Sequence, residues 1–458
     1  MAAQGRLQSS VGFVSFDDAR PALQLLGDLV PPELREKTPD VLESFWPQWA
    51  RQNDAEIRAR LAQGDEDSLV NLLLFGTSFT RQPRLAARQI EAIIASSADP
   101  AVSGSKLDAM TQARLDDLIR AIAQPRGNER LAFAQKALEA KGYALATAEG
   151  QSQAKSHLLR ALGRVLKEIE TYTHTIEQAE RSTVPGAAFA GRSVLYRARG
   201  LSSDTSLAPN FAIEEALKAM RAKGLLPERI RRVAVVGPGL DFVDKQEGYD
   251  FYPQQTLQPF AVLDSLLRLR LAVANDVHLT TLDVSPRVNA HLTEVAARSR
   301  KGESYVLQLP LDAAETWNPE FVRYWAAFGD QIGSPEKPAA VPSNAGGPKL
   351  RALSVRPAFG ATITPIDLNI VLQRLTLPDA EKFDLVVGTN VFLYYNEFQQ
   401  ALAMANLGRM MRPGGVLLSN NALVELPTSH VRFVGQTTVA YSDRKDNGDT
   451  MVWYRCSE

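Results

Sequence analysis

Short, uninterrupted runs of apolar and β-branched residues alternate with helical stretches in the second half of the chain. Such runs are typical of strands buried on both faces of a parallel sheet, and the alternation indicates βαβ units. The pattern predicts strands at 233–236, 277–282, 353–355 with 362–364, 383–387 and 416–419. It predicts helices between them at 256–271, 286–300, 370–375 and 397–411. Two further runs, 431–439 and 451–454, predict an antiparallel hairpin at the sheet edge.

The first half of the chain has helical periodicity instead. In its longest stretch, from 151 to 181, apolar residues recur at alternating spacings of four and three. These residues are Leu158, Leu162, Val165, Ile169, Tyr172 and Ile176. A heptad seam of this kind packs a helix against its own domain or against a second copy of the chain. A homodimer through the 158–176 seam is therefore one expectation, and packing within the chain is the other.

The composition changes near residue 200, because glycine, serine and proline are frequent between 183 and 210. This composition is typical of a linker. We therefore expect an all-α N-terminal domain over 1–200 and an α/β domain over 201–458. The α/β domain is predicted to have a Rossmann-like parallel sheet with an antiparallel C-terminal hairpin. Residues 303–350 do not fit the alternation and are interpreted as an insertion, part helix and part flexible loop.

Charge and composition exclude several classes of protein. The 458 residues include 51 Lys and Arg against 52 Asp and Glu, whereas a general nucleic-acid-binding surface needs a basic surplus. No apolar run is long enough to cross a bilayer, so we expect no membrane partner and a cytoplasmic location. The first residues would also fit a chain from which a signal peptide had been removed. The single cysteine, Cys456, and the spacing of the five histidines give no metal-binding pattern, so no metal is expected.

A glycine turn follows the first strand of the predicted sheet. Gly237 and Gly239 would let the backbone approach a ligand with no Cβ in the way, and Asp241 comes directly after them. The second strand ends at Asp283, and a carboxylate at that point can accept hydrogen bonds from ribose hydroxyls. The alternatives are a tight turn at the glycines and a helix N-cap at Asp283.

Polar and aromatic residues also follow the later strands. Asp367 and Asn369 come just past a strand end, where they could hydrogen bond to an adenine edge or cap a helix. The strand 383–387 leads to Asn390, and Tyr394 and Tyr395 come soon after it. In an open α/β sheet the ligand crevice lies outside the carboxyl ends of the strands, so these three residues are expected in it or in its wall. Packing of both tyrosines in the core is the alternative.

The loop 241–253 is rich in acidic and aromatic residues and stands where a helix would otherwise start directly after the glycine turn. Such groups beside a crevice suit recognition of a cationic or ring-bearing ligand. A solvated loop with buried aromatic anchors is the alternative. Tyr249 and Asp250 of this loop, together with Tyr395, are the candidates for orienting or deprotonating a reacting group.

Taken in order, these motifs resemble those of the class I S-adenosylmethionine-dependent methyltransferases over residues 211–458. The strand 383–387 with Asn390 and the Met-Arg-Pro-Gly-Gly turn at 411–415 are the most specific parts. The resemblance implies S-adenosylmethionine as the cofactor. It would put the methionine part at Gly237 and Gly239, the ribose at Asp283, the adenine near Asp367 and the transferred methyl beside Asn390.

Two positions depart from that family's pattern, since Val235 stands where an acidic residue is frequent and Asp241 where a third glycine is common. Asn390 with the two tyrosines is also similar, more weakly, to chemotaxis-receptor glutamate methyltransferases, and loop 77–81 resembles their N-terminal cofactor-contacting loop. The expected function is methyl transfer to a small-molecule or protein acceptor. The alternatives are a catalytically inactive methyltransferase-like binding or scaffold protein, and a nicotinamide-dependent oxidoreductase, for which the full glycine motif is missing.

Overall fold

The computed structural model describes residues 10–85, 100–180, 199–243, 248–444 and 447–457. A three-residue strand, β1 (Val11–Phe13), comes first and helices follow it. They are α1 (Phe16–Leu25), α2 (Pro32–Arg35), α3 (Pro39–Ala59), α4 (Leu61–Phe75), α5 (Pro100–Ala123), α6 (Glu129–Glu139) and α7 (Ala148–Glu180). Side-chain oxygens of Ser15 and Asn128 accept first-turn N–H groups of α1 and α6, which fixes where these two helices begin.

Helices α4 to α7 pack around an apolar core of their own, in which Leu72 and Leu118 are fully buried. Leu158 and Leu162, which begin the heptad seam, are buried in the same core. The first part of the seam is therefore covered within the chain. The seam positions from Ile169 onward lie outside the described side chains, and a homodimer through this seam stays a prediction.

A seven-stranded sheet forms the centre of the second half. The strands of this half are β2 (Arg232–Val236), β3 (His278–Asp283), β4 (Tyr305–Leu311), β5 (Gly333–Glu336), β6 (Lys349–Val355), β7 (Ile363–Asp367), β8 (Gln373–Leu375), β9 (Phe383–Gly388), β10 (Met411–Ser419), β11 (Val431–Ala440) and β12 (Gly448–Cys456). The order across the main sheet is β11-β12-β10-β9-β2-β3-β7, and only β12 runs antiparallel to its neighbours. The prediction of a mostly parallel sheet with a closing antiparallel hairpin is confirmed.

Helices cover both faces of this sheet. They are α8 (Ala208–Ala222), α9 (Gln258–Arg268), α10 (Pro286–Arg300), α11 (Pro319–Ala327), α12 (Pro357–Gly360) and α13 (Glu397–Met410). Val233 and Val235 of β2 join the core on one face, and Ala234 and Val236 join the core on the other. Side chains alternate between the faces of a strand, so a strand buried on both faces needs the continuous apolar run seen in the sequence.

The first helices of the chain pack on one face of the main sheet. Trp46 and Trp49 of α3 are buried, and Trp49 lies edge-on to Phe398 of α13 with ring centroids 5.8 Å apart. Their core is shared with Ala234 and Val236. Apolar residues between Val14 and Ile57 therefore belong to the same core as the sheet, while the division of the chain into domains at residue 200 stays a prediction.

Two sequence-based expectations are wrong. The run 353–355 is predicted to be a strand of the main sheet, but it belongs to β6, which forms a separate antiparallel sheet with β4 and β5. The stretch 303–350, interpreted as part helix and part flexible loop, contains α11 and also β4, β5 and the start of β6. Long-range pairing of β4 with β6 satisfies backbone groups that the local pattern left unassigned. The helix expected at 370–375 is absent, because β8 pairs antiparallel with β1 there.

No helix within the described ranges is both long and apolar enough to cross a membrane. In the same part of the chain, no three His, Cys, Asp or Glu side chains come together as a potential metal site.

Candidate functional site

A cavity of about 890 Å³, including space open to solvent, lies at the carboxyl ends of β2, β3 and β9. Five of the predicted site residues line it: Gly237, Gly239, Asp283, Asn390 and Tyr395. Small-molecule sites of proteins have volumes of roughly 300–1,000 Å³, and open α/β sheets bind ligands at this edge. The size and position of the cavity therefore suit a small-molecule ligand.

The glycine turn needs glycine at both positions. The backbone is left-handed there, with φ of 64° at Gly237 and 65° at Gly239. A Cβ at Gly237 would lie 2.5 Å from Cγ2 of Val391, and a Cβ at Gly239 would lie 2.8 Å from the carbonyl oxygen of Ser203. Other residues would be strained in this conformation and would collide with these neighbours, so the turn keeps its backbone open to the cavity.

Asp283 is a buried carboxylate in the cavity wall, with 8% of its surface exposed. Its Oδ1 accepts the N–H of Ser285 at 2.7 Å, and the N–H of Gly239 also hydrogen bonds to the carboxylate. Burial raises the pKa of Asp283 to about 7 in spite of these hydrogen bonds, and the charge of Asp367 adds to the increase. The N-cap of α10 is Ser285, whose Oγ accepts the N–H of Val288, so Asp283 is not the helix cap.

Asn390 has a left-handed backbone, with φ of 57°, which is uncommon outside glycine. Asn420, just past β10, holds this conformation with two hydrogen bonds. The N–H of Asn390 donates to Asn420 Oδ1 at 2.8 Å, and Asn420 Nδ2 donates to Asn390 Oδ1 at 2.6 Å. Asn420 Nδ2 also lies 3.3 Å from Asp449 Oδ1 at the start of β12. The ends of three strands thus fix Asn390 beside the cavity.

Tyr395 lines the cavity and is buried. Burial raises the pKa of its hydroxyl to about 12, although the positive charge of Arg60 acts in the opposite direction. Tyr395 therefore keeps its proton near neutral pH, which suits a hydrogen-bond donor and not a general base. Tyr394 also lines the cavity, and its carbonyl oxygen accepts a hydrogen bond from Arg60 Nη1 at 3.0 Å.

Tyr249 and Asp250 do not line this cavity. Asp250 is buried and accepts the N–H groups of Thr77 and Ser78 at 2.6 and 2.9 Å and their hydroxyls at 2.8 and 2.6 Å. Tyr249 is buried with the guanidinium of Arg84 3.9 Å from its ring centroid. Both residues join the inserted loop to the helical half, which favours the alternative of buried anchors over a role in orienting or deprotonating an acceptor. The loop that resembled a cofactor-contacting segment is likewise bound to Asp250.

Asp241 lines a second, smaller cavity of about 240 Å³ beside the first. Its Oδ2 accepts hydrogen bonds from Tyr252 Oη and Gln255 Nε2, both at 2.9 Å. Its N–H donates to the carbonyl oxygen of Gln255 at 2.7 Å, so the two ends of the inserted loop meet. Asp241 therefore anchors the loop and is not part of the larger cavity to which the sequence assigned it.

A buried arginine of the helical half holds the inserted loop in place. Arg130 is 1% exposed, and its guanidinium donates to the carbonyl oxygens of Asp241 at 2.9 Å, Phe242 at 2.5 Å and Tyr249 at 3.3 Å, and also to that of Tyr252. Residues 244–247 of the loop lie outside the described residues. One cation thus satisfies several buried carbonyl groups that would otherwise be unpaired.

Asp367 and Asn369, which are expected near the adenine, instead bind side chains of α3. Arg58 Nη1 donates to Asp367 Oδ1 at 2.7 Å, and 56% of the Asp367 side chain is exposed. Asn369 is fully buried, with Nδ2 donating to Asp54 Oδ1 at 2.8 Å. Neither residue lines the cavity, whereas the next positions along the chain, Leu368 and Ile370, do.

Residues 201–206, which have the composition of a linker, are part of the cavity wall. The carbonyl oxygen of Ser203 accepts the N–H of Leu240 at 2.7 Å, and the N–H of Thr205 donates to the carbonyl oxygen of Leu240 at 3.1 Å. On the other side, Asp204 Oδ1 accepts the hydroxyl of Ser68 in α4 at 2.9 Å. The 201–206 segment therefore joins the glycine turn to the helical half, and nothing in its composition distinguishes it from a linker.

Gln258 and Thr389 are two further wall residues that the sequence did not reveal. Gln258 is the first residue of α9, and Thr389 follows β9. Gln258 Nε2 donates to Thr389 Oγ1 at 2.7 Å. In sequence, the inserted loop separates Gln258 from the glycine turn. In the fold, the hydrogen bond between Asp241 and Gln255 joins the two ends of this loop, so that Gln258 lines the same cavity as the turn.

No family model matches the chain, and no curated protein matches it significantly. Solved structures of S-adenosylmethionine-dependent methyltransferases do match. Magnesium protoporphyrin IX methyltransferase from Synechocystis, solved with S-adenosylmethionine, is 10% identical, with a TM-score of 0.27 over 60% of this chain and 86% of its own. The glycopeptide N-methyltransferase MtfA, also solved with S-adenosylmethionine, is 10% identical, with a TM-score of 0.28 over 55% of this chain and 96% of its own. The CurJ carbon methyltransferase is 13% identical, with a TM-score of 0.27 over 96% of this chain and 99% of its own.

Proposed function

We propose that this chain is an S-adenosylmethionine-dependent methyltransferase with a Rossmann-like fold of the class I type. The observation that carries it is the convergence of Gly237, Gly239, Asp283 and Asn390 on one cavity. These residues come from the ends of three strands, and the sequence resemblance assigns all four to the cofactor.

The residues present fit the parts of this cofactor. Asp283 would accept hydrogen bonds from the ribose hydroxyls, since its carboxylate lies in the cavity wall. The left-handed glycine turn lets the backbone approach the methionine part without a Cβ. In place of Asp367 and Asn369, the apolar side chains of Leu368 and Ile370 would flank the adenine.

S-adenosylmethionine supplies an electrophilic methyl group for an in-line displacement. The protein's task is to align the acceptor with that group and to exclude water. Asn390, held by Asn420, would orient the acceptor, and the protonated Tyr395 would donate a hydrogen bond. The acceptor would be a small molecule or a protein.

Calorimetric titration with S-adenosylmethionine and S-adenosylhomocysteine tests the cofactor. We expect both to bind the unchanged chain and neither to bind Asp283→Ala, with NAD⁺ as the negative control. Absence of binding by either cofactor at millimolar concentration would overturn the proposal. A screen of acceptors with methyl-labelled cofactor then separates an enzyme from a binding module: transfer that is lost in Asp283→Ala identifies the enzyme.

A further inference from the structure

Gln258 and Thr389 form a polar pair in the cavity wall beside Asn390. They are 3% and 5% exposed, and both line the cavity. Gln258 Nε2 donates to Thr389 Oγ1 at 2.7 Å, which leaves the amide oxygen Oε1 and the second N–H of Nε2 without a hydrogen-bond partner among the described residues. Buried polar groups in proteins are almost always hydrogen bonded, so an amide that faces a ligand cavity suits a polar group of the ligand.

The carboxylates of the described cavity wall hydrogen bond to other parts of the chain and not to this pair. Asp283 ends β3 and accepts the N–H of Ser285. Asp204 accepts the side chains of Ser68 and Asn71 in α4 at 2.9 and 3.3 Å. The position at which an acidic residue is frequent in the resembled family holds Val235, which is fully buried in the sheet. A cationic ligand group that reaches Gln258 would meet a neutral oxygen acceptor.

We propose that Gln258 Oε1 accepts a hydrogen bond from the ammonium group of the cofactor's methionine part, with Thr389 holding the amide in the required orientation. This assignment rests on the proposed function, in which the glycine turn faces that part of the cofactor. A hydrogen bond between a charged donor and a buried amide oxygen contributes on the order of 10- to 100-fold to affinity. Gln258 is thus assigned the recognition of the amino-acid end of the ligand.

Two ligands separate this role from a structural one. S-adenosylhomocysteine carries the amino-acid part, and 5′-methylthioadenosine has the same nucleoside and thioether without it. In calorimetric titrations of the full chain, we expect Gln258→Met to bind S-adenosylhomocysteine 10- to 100-fold more weakly and 5′-methylthioadenosine as the unchanged chain does. Gln258→Glu, which offers a carboxylate oxygen at the same place, should recover most of the affinity for S-adenosylhomocysteine.

Gln254→Met is the matched control, because Gln254 is also buried and does not line the cavity. It should leave both affinities unchanged, and circular dichroism checks that each variant is folded. Equal weakening of both ligands in Gln258→Met would overturn the assignment, as would unchanged affinity for S-adenosylhomocysteine. A Gln258→Glu variant that binds S-adenosylhomocysteine worse than Gln258→Met would also contradict it, since the amide would then be a donor to the ligand. If the unchanged chain binds neither ligand, the proposed function itself fails.

Discussion

Replacing Asp283 by asparagine should stabilise the ligand-free protein at pH 8. Burial raises the pKa of this carboxyl from 3.8 to about 7. The folded state then holds more protons on this group than the unfolded state does between about pH 4 and 7, so the contribution of Asp283 to stability is greatest below pH 4 and falls as the pH rises to 7. One pKa unit corresponds to about 1.4 kcal/mol, so a shift of roughly three units corresponds to about 4 kcal/mol as an upper bound. Asparagine keeps the oxygen that accepts the Ser285 N–H and carries no charge.

The assay is urea unfolding of both chains at pH 5, 6, 7 and 8 without ligand. The free energy of unfolding of Asp283→Asn minus that of the unchanged chain should increase with pH up to about 7 and then stay constant. Asp28→Asn is the control, because the Asp28 side chain is fully exposed and its substitution should give no such trend. A difference for Asp283→Asn that is flat from pH 5 to 8 would refute the reasoning.

Ionisation of Asp283 should strengthen ligand binding, although it lowers the stability of the ligand-free protein. A charged Asp283 is the better acceptor for ribose hydroxyls, so affinity for S-adenosylhomocysteine should rise with pH up to about 7 and stay constant above it. Below that pH the affinity of the unchanged chain should fall by up to about tenfold per pH unit. Asp283→Asn should bind weakly at every pH. The residue that lowers the stability of the free protein would then be one that the ligand requires.

Three further predictions concern other parts of the molecule. Arg130→Met should lower the free energy of unfolding by at least about 3 kcal/mol, because several buried carbonyl groups lose their hydrogen-bond donor. The same substitution should make the inserted loop more accessible to proteases. Arg120→Met, at an exposed site, is the control and should have neither effect. Gly237→Ala should cost about 1–3 kcal/mol of stability and abolish binding of S-adenosylhomocysteine, and adding Val391→Ala should recover part of the stability, as measured by urea unfolding and calorimetry. Ile176→Glu should convert a dimer to a monomer in light scattering if the 158–176 seam joins two copies; an unchanged chain that is already monomeric would exclude that seam as an interface.

The main sheet could be predicted from the sequence because its strands are buried on both faces. Such strands need continuous apolar runs, and those of β2 and β9 are short and bounded by glycine or polar residues. The polar residues at strand ends could be predicted for the same reason, since parallel strands share one carboxyl edge. Gly237, Asp283 and Asn390 were found in this way.

The parts of the fold and of the site that could not be predicted depend on contacts between residues far apart in sequence. The acidic and aromatic character of the loop predicts a ligand-contacting role for Asp250, but its carboxylate binds the N–H groups of Thr77 and Ser78, more than 170 residues earlier in the chain. The 370–375 run was predicted as a helix because nothing local reveals that Gln373–Leu375 pairs with β1. The 201–206 segment has the composition of a linker, but its contact with α4 helps to hold it in the cavity wall.

The two ends of the inserted loop meet at Asp241 and Gln255. Because the two ends are joined by a backbone hydrogen bond, the loop leaves and re-enters the fold at one point. Its length can therefore change at little entropic cost, about 0.6 kcal/mol for a doubling, without moving the start of α9. Exchange of the whole loop would remove the carbonyl oxygens that Arg130 binds and the carboxylate of Asp250. The variation that this closure allows is therefore a change of length that keeps those anchoring residues.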